Sequence, residues 1–230
     1  MTANAKRGGE GIEANGLTAG YAGVIVHDFW SSYFKYEDCQ HAMCNAHLLR
    51  ELRLVTENTK ETWAEKMGDL LREMKRAKEE CQEAGKTELP GKLAEKFAYE
   101  YEVIATLGDS EAPYERGERK QAKSRNLLER FIDRKDEIML FARNFAVPFD
   151  NNLAERDIRN VKVKQKVSGA FRSDAGIENF AKISSIVGTA SKQKLSVFDT
   201  IKGIISGAVS SLFSKDSNTA ALAGDTAICE

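Results

Sequence analysis

Prolines are scarce, three in 230 residues, and the seventeen glycines follow no repeat, so the chain is not collagen-like. Only four cysteines are present, at 39, 44, 81 and 229, with no evenly spaced framework. That excludes a disulfide-dense scaffold and fits a reducing, cytoplasmic compartment. No apolar run reaches the roughly 18 residues of a membrane span. The nearest, Leu195 to Phe213, is interrupted by Asp199 and Lys202. The first residues, Met1 to Gly11, are polar and lack the apolar segment of a signal peptide. Charge of one sign is missing as well. Lys and Arg number 34 and Asp and Glu 35, a net charge of −1. A uniformly basic nucleic-acid coat is thereby excluded, but a local basic face is not. What is there is 42% hydrophobic and 30% charged residues, enough at this length for a globular core without staples.

The apolar pattern changes along the chain. Residues 1–20 hold five glycines and read as a loop. Val24 to Val26 is a short β-branched run that predicts a buried strand ending at Asp28. The aromatic residues Phe29, Trp30, Tyr33, Phe34 and Tyr36 then suit a turn or short helix packed on that strand. From Asn45 the spacing becomes helical and stays so to about residue 143. A break is expected at Asn58-Thr59 with Thr59 as N-cap, and loops at Leu89-Pro90-Gly91 and from Gly108 to Gly117. Pro148 forces an extended approach to Asp150, Asn151 and Asn152, all good N-caps for a helix from Leu153. Val163 to Phe171 fits a strand or a loop. A helix stripe follows at Phe180, Ile183, Ile186, Val187 and Ala190, and Ser196 caps a last helix to about Ile205. Residues 214–230 are small and polar and read as a disordered tail.

Four constellations could carry chemistry. Asp28 sits just past a buried strand, at the edge where α/β sheets bind ligands; a turn-forming Asp is the plainer reading. The run Cys39-Gln-His41-Ala-Met-Cys44-Asn-Ala-His47 offers donors for zinc, but the second Cys/His pair of a usual zinc site is absent. The plainer reading is a buried thiol and a hydrogen-bonded histidine anchoring strand to helix, Cys44 and His47 sharing one helix face. Glu155 falls in the first turn of its helix, where the dipole favours a carboxylate, and lies four residues from Asn151. It serves a site or merely pairs with Arg159. Lastly, Arg156, Arg159, Lys162, Lys164, Lys166 and Arg172 are opposed only by Asp157 between 156 and 172. Such a stretch contacts a phosphate backbone or is simply a solvated face.

Together and in this order, these pieces resemble the bacterial insertion-sequence transposases of family sixty-six, of the DDE class. The matching segments are 24–33 (Val-Ile-Val-His-Asp-Phe-Trp-Ser-Ser-Tyr), 44–52 (Cys-Asn-Ala-His-Leu-Leu-Arg-Glu-Leu) and 150–159 (Asp-Asn-Asn-Leu-Ala-Glu-Arg-Asp-Ile-Arg). Ser-Gly-Ala-Phe-Arg-Ser (168–173) and Thr-Ala-Ser-Lys-Gln (189–193) also fit, and the similarity runs from about Lys6 to about Ile205. The resemblance implies an α/β, helix-rich chain: an incomplete ribonuclease H-like fold with a large all-helical insertion. Asp28 then matches the second catalytic acid and Glu155 the third. Cys44 and His47 match a Cys-x-x-His signature, and Arg156 the arginine after the catalytic glutamate. Residues 1–47 become a partial sheet segment, 48–143 the insertion, 144–213 the rest of the catalytic core and 214–230 the tail.

The implied activity is DNA cleavage and strand transfer by two-metal phosphoryl transfer. Mg²⁺ or Mn²⁺ would be held by Asp28 and Glu155, and transposon and target DNA by the basic residues. Self-association is a further expectation, and a membrane partner is not. One departure matters. The family's first acid lies on an upstream strand, whereas ahead of Asp28 this sequence offers only Glu10 and Glu13 in a Gly-rich segment. The chain is therefore expected to be an N-terminally truncated transposase, inactive alone, with an open edge on its Val24–Val26 strand. Two other readings stay open: a non-catalytic DNA-binding protein using the 156–172 face, and a helical scaffold with zinc at Cys39, His41, Cys44 and His47.

Overall fold

The computed structural model describes residues 9–13, 20–117, 122–169, 171–207 and 226–228. In chain order the elements are α1 (Gly9–Glu13), β1 (Val24–His27), a single 3-10 turn (Tyr33–Lys35), β2 (Gln40–Met43), α2 (Asn45–Asn58), α3 (Trp63–Glu83), α4 (Gly91–Glu111), α5 (Lys123–Asp133), α6 (Lys135–Arg143), α7 (Asn152–Ser168), α8 (Asp174–Lys192), α9 (Val197–Ile205) and β3 (Thr226–Ile228). They form two compact units. One comprises Ala22–Asn151 with Gly224–Glu230, the other Met1–Tyr21 with Asn152–Ala223. None of the helices among the described residues is long and apolar enough to cross a membrane.

The first unit is α/β and helix-rich. Its sheet is wholly parallel, in the order β2-β1-β3. All four residues of β1 are buried, as the unbroken Val-Ile-Val run requires of a strand covered on both faces. β1 pairs with β2 so that Val24 lies opposite Gln40 and His27 opposite Met43. β2 escapes the sequence reading because Gln40 and His41 break its apolar pattern and only Ala42 and Met43 are buried. Thr226–Ile228 pairs with the other edge of β1, the edge expected to be open. The rest of the expected tail, 214–225 and 229–230, lies outside the described residues.

The helical block packs on this sheet around one core. Val24, Val26, Ala42 and Met43 share it with Leu48 and Leu52 of α2, Trp63, Met67 and Leu71 of α3, Phe97 and Tyr101 of α4, Phe131 of α5 and Phe141 of α6. Two helix boundaries differ from expectation. Thr59 closes α2 instead of opening α3: its hydroxyl donates to Val55 O at 2.9 Å. The start of α3 is capped from a distance by Glu111. Its carboxylate accepts the Thr62 and Trp63 amides at 2.6 and 2.9 Å and the Thr62 hydroxyl at 2.7 Å.

Gly108 lies within α4 rather than at the start of a loop. A Cβ there would stand 2.7 Å from Leu128 Cδ1 and 3.0 Å from the Trp63 ring. The position needs a hydrogen side chain for close helix approach. Gly108→Ala is expected to lower stability by about 1–2 kcal/mol, overpacking against a rigid indole outweighing the helix-propensity gain. Urea unfolding measures it, and a stabilised variant would refute the close approach.

In the second unit α7 covers 163–168 of the stretch that fitted a strand or a loop, and stops before Gly169, whose φ is +76°. Ser173 Oγ caps α8 by accepting from Gly176 N–H at 3.1 Å, and Ser196 Oγ caps α9 from Asp199 N–H at 3.3 Å. Lys192 pairs with Asp157, and Phe171 stacks on Phe180 at 5.5 Å, so α7, α8 and their connection pack together.

Candidate active site

Asp28 follows the last residue of β1, and Cys44 follows the last residue of β2. Parallel pairing of His27 with Met43 therefore puts both at the C-terminal edge of the sheet. The Cys44 amide donates to His27 O at 2.8 Å, locking the two strand ends together. Asp28 is exposed, and its Oδ1 accepts the Trp30 amide at 2.9 Å. The turn-forming role and a ligand role are thus compatible: the turn holds a carboxylate at the sheet edge.

Behind Asp28 lies a histidine pair whose pairing the sequence does not reveal. His27 is fully buried. Its Nδ1 contacts the Asp28 carbonyl, and its Nε2 lies 2.9 Å from Nδ1 of His41. A carbonyl only accepts, so His27 carries its proton on Nδ1, toward the Asp28 carbonyl. Burial pushes the His27 pKa down to about 4, against the Asp28 carbonyl, which raises it. Tyr33 and Phe34 pack on the ring at 4.8 and 5.0 Å. The signal for this pair is two histidines on neighbouring strands, which is visible only once β2 is known.

Cys44 is the hub of the Cys-x-x-His segment. Its thiol donates to Asn151 Oδ1 at 2.9 Å, and its sulfur accepts from the Asn151 amide at 3.4 Å. His47 Nδ1 lies 3.1 Å from the same sulfur. Burial raises the thiol's pKa, so Cys44 acts as a neutral S–H donor rather than a nucleophile. Asn151 is buried and lies immediately before α7. Replacing Cys44 by Ala should cost about 2 kcal/mol, since it leaves buried Asn151 Oδ1 without a donor. Chemical unfolding checks this, and an unchanged midpoint would show that the thiol pins nothing.

The four candidate zinc donors do not gather into one site among the described residues. Cys39 donates to Tyr36 O at 3.1 Å, and His41 Nε2 lies 3.1 Å from the same carbonyl. Cys44 and His47 are engaged with Asn151 and with each other.

Glu155 belongs to the second unit, half-buried in the first turn of α7, the helix that begins directly after Asn151. Arg156, Arg159, Lys162, Lys164 and Lys166 are exposed on the same helix, and Arg172 is exposed beyond it. Because α7 is continuous, Glu155, Arg159, Lys162 and Lys166 recur at i, i+4, i+7 and i+11 and share one face. Arg156 borders that face and Lys164 lies off it. Asp28 and Glu155 each offer carboxylate oxygen, the donor type that a hard divalent cation takes. Glu10 and Glu13, the only acids ahead of Asp28, lie on the five-residue α1 and not on a strand.

A family model described as Transposase IS66 family matches residues 2–179. No curated protein and no solved structure matches the chain. The matched span contains Asp28, Cys44, His47, Glu155 and the whole basic stretch to Arg172.

Proposed function

Because this chain belongs to the IS66 family of transposases, we propose that Asp28 and Glu155 are the second and third acids of a DDE-class catalytic core. Membership implies transposition with DNA as substrate. The observation that carries the finer reading is the sheet edge. An exposed carboxylate ends a buried parallel strand, and the neighbouring strand end holds Asn151, the residue before the Glu155 helix. A strand-end acid followed by a helical block and a helix-borne acid is the arrangement expected of an incomplete ribonuclease H-like core.

In this reading Asp28 and Glu155 hold Mg²⁺ or Mn²⁺, which supplies the Lewis-acid charge that phosphoryl transfer needs. The chain's own groups do the rest. The Trp30 amide fixes Asp28 Oδ1. Buried, neutral His27 places no competing cation behind that carboxylate. Arg159, Lys162 and Lys166 hold the DNA backbone beside Glu155, and Arg156 borders them.

The test is Mn²⁺ binding, read by electron paramagnetic resonance in the presence of a DNA duplex. Asp28→Asn and Glu155→Gln should each weaken binding about tenfold or more, while DNA affinity in chelator changes less than about threefold. Metal binding indifferent to both substitutions would leave a non-catalytic DNA-binding protein using the 156–172 face. Mg²⁺-dependent strand cleavage that both substitutions leave intact would also overturn the assignment of the two acids.

A further inference from the structure

We propose that the helical block is a clamp on the two segments that present the acids, with Arg134 and Lys78 as its positioning residues. This rests on reading Asp28 and Glu155 as the acids. On the Asp28 side, two arginines at the end of α5 lie over the aromatic residues that follow the strand. The Arg130 guanidinium is 4.9 Å from the Phe29 ring centre and is held by both oxygens of Glu51 on α2. The Arg134 guanidinium is 4.4 Å from Phe34, the ring that packs on His27. Trp30, whose amide fixes Asp28, lies in the segment between those two rings.

On the other side, α3 reaches the segment that leads into the Glu155 helix. Lys78 Nζ donates to Val147 O at 2.5 Å and lies 5.6 Å from the Phe145 ring and 6.0 Å from Phe141. Lys75, one turn earlier, is 5.2 Å from Phe149. The Asn45 amide donates to Phe149 O at 3.0 Å, and Asn151 is held by Cys44. Between residues 145 and 151 the backbone is therefore held at Val147 by the Lys78 side chain, at Phe149 by the Asn45 backbone amide and at Asn151 by the Cys44 sulfur.

These cations are poor devices for global stability. Lys78 is 6% exposed, and burial pushes its pKa down to about 8. An apolar side chain of equal length would pack there without the desolvation cost. Arg130 and Arg134 are partly exposed, where ion pairs contribute little. What the ammonium does that a methionine cannot is orient the Val147 carbonyl. What Arg134 does is set the Phe34 ring and the turn around it.

Amide hydrogen exchange on the whole chain, without metal or DNA, separates local from global effects. Lys78→Met should raise exchange at Asn45, Val147 and Asn151 about tenfold while the Leu71 and Met74 amides of α3 stay protected or gain protection. Arg134→Leu should raise exchange at Trp30, Tyr33 and Tyr36 about threefold or more, and Arg134→Lys should restore much of it. Unchanged exchange in both segments, or a rise shared equally with α3, overturns the clamp. The readout needs no metal, so its failure is distinct from failure of Asp28→Asn to lose Mn²⁺.

Discussion

Replacing Arg159, Lys162 and Lys166 together by alanine is expected to weaken duplex DNA binding about a hundredfold at 150 mM salt. Each cation that neutralises a phosphate releases about 0.9 of a counterion, worth about 1 kcal/mol at that ionic strength. Three contacts therefore give about 3 kcal/mol, and the slope of log affinity against log salt should flatten by about 2.7. The effect should be specific to the helix face. Lys164 is also exposed but lies off the stripe shared by Glu155, Arg159, Lys162 and Lys166. Lys164→Ala should change affinity less than about threefold. Fluorescence anisotropy titrations between 50 and roughly 300 mM salt measure both quantities. Equal losses from Lys164 and from each residue of the triple set would mean a diffuse solvated charge and no DNA-facing stripe. The sequence contains the excess of cations, but only a continuous α7 sorts them into those that flank Glu155 and one that does not.

Acidification should destabilise the first unit through His27 well before its strand could be expected to fray. The unfolded chain protonates this histidine near its ordinary value of 6.5, the folded chain only at about 4. Between those values the unfolded state binds more protons, so stability falls as pH falls and is fully present only above about pH 6.5. The difference amounts to about 3 kcal/mol once pH is below 4, a large share of a domain's usual 5–15. The causes are specific. Protonation would bury a cation at a fully enclosed site among the Tyr33 and Phe34 rings. Urea unfolding from pH 7 to pH 4 in metal-free buffer should show this slope, and His27→Gln should remove about that much of it. Carboxylates titrate in the same range in both proteins, so the difference between them isolates His27. Parallel pH profiles for the two would mean that the imidazole is not held neutral by the fold.

Much of the layout was legible in the residues. Val24 to Val26 announced a buried strand with an acid at its end, because β-branched apolar runs need a covered sheet. Helical spacing from Leu48 to Phe141 announced the block, and Ser196 the cap of α9. Boundaries failed where a distant partner decided them. Glu111, not Thr59, caps α3, and Gly108 is a close approach inside α4 because Trp63 and Leu128 meet it there.

By itself the sequence determined the buried strand that ends at Asp28, the helical stretch that follows it, the positions of Asp28 and Glu155, the Cys-x-x-His spacing and the local excess of positive charge. These follow from periodicity and from motifs a few residues long, and they sufficed for the family. The tertiary structure alone decided what the motif residues touch. It placed β2 beside β1, so that His27 met His41 and Asp28 came level with Cys44. It turned Asn151 to the thiol 107 positions before it, and laid Lys78 and Arg134 onto rings far away in the chain. Such contacts depend on strand register and helix packing, which are set by burying one shared core and leave no local mark in the sequence.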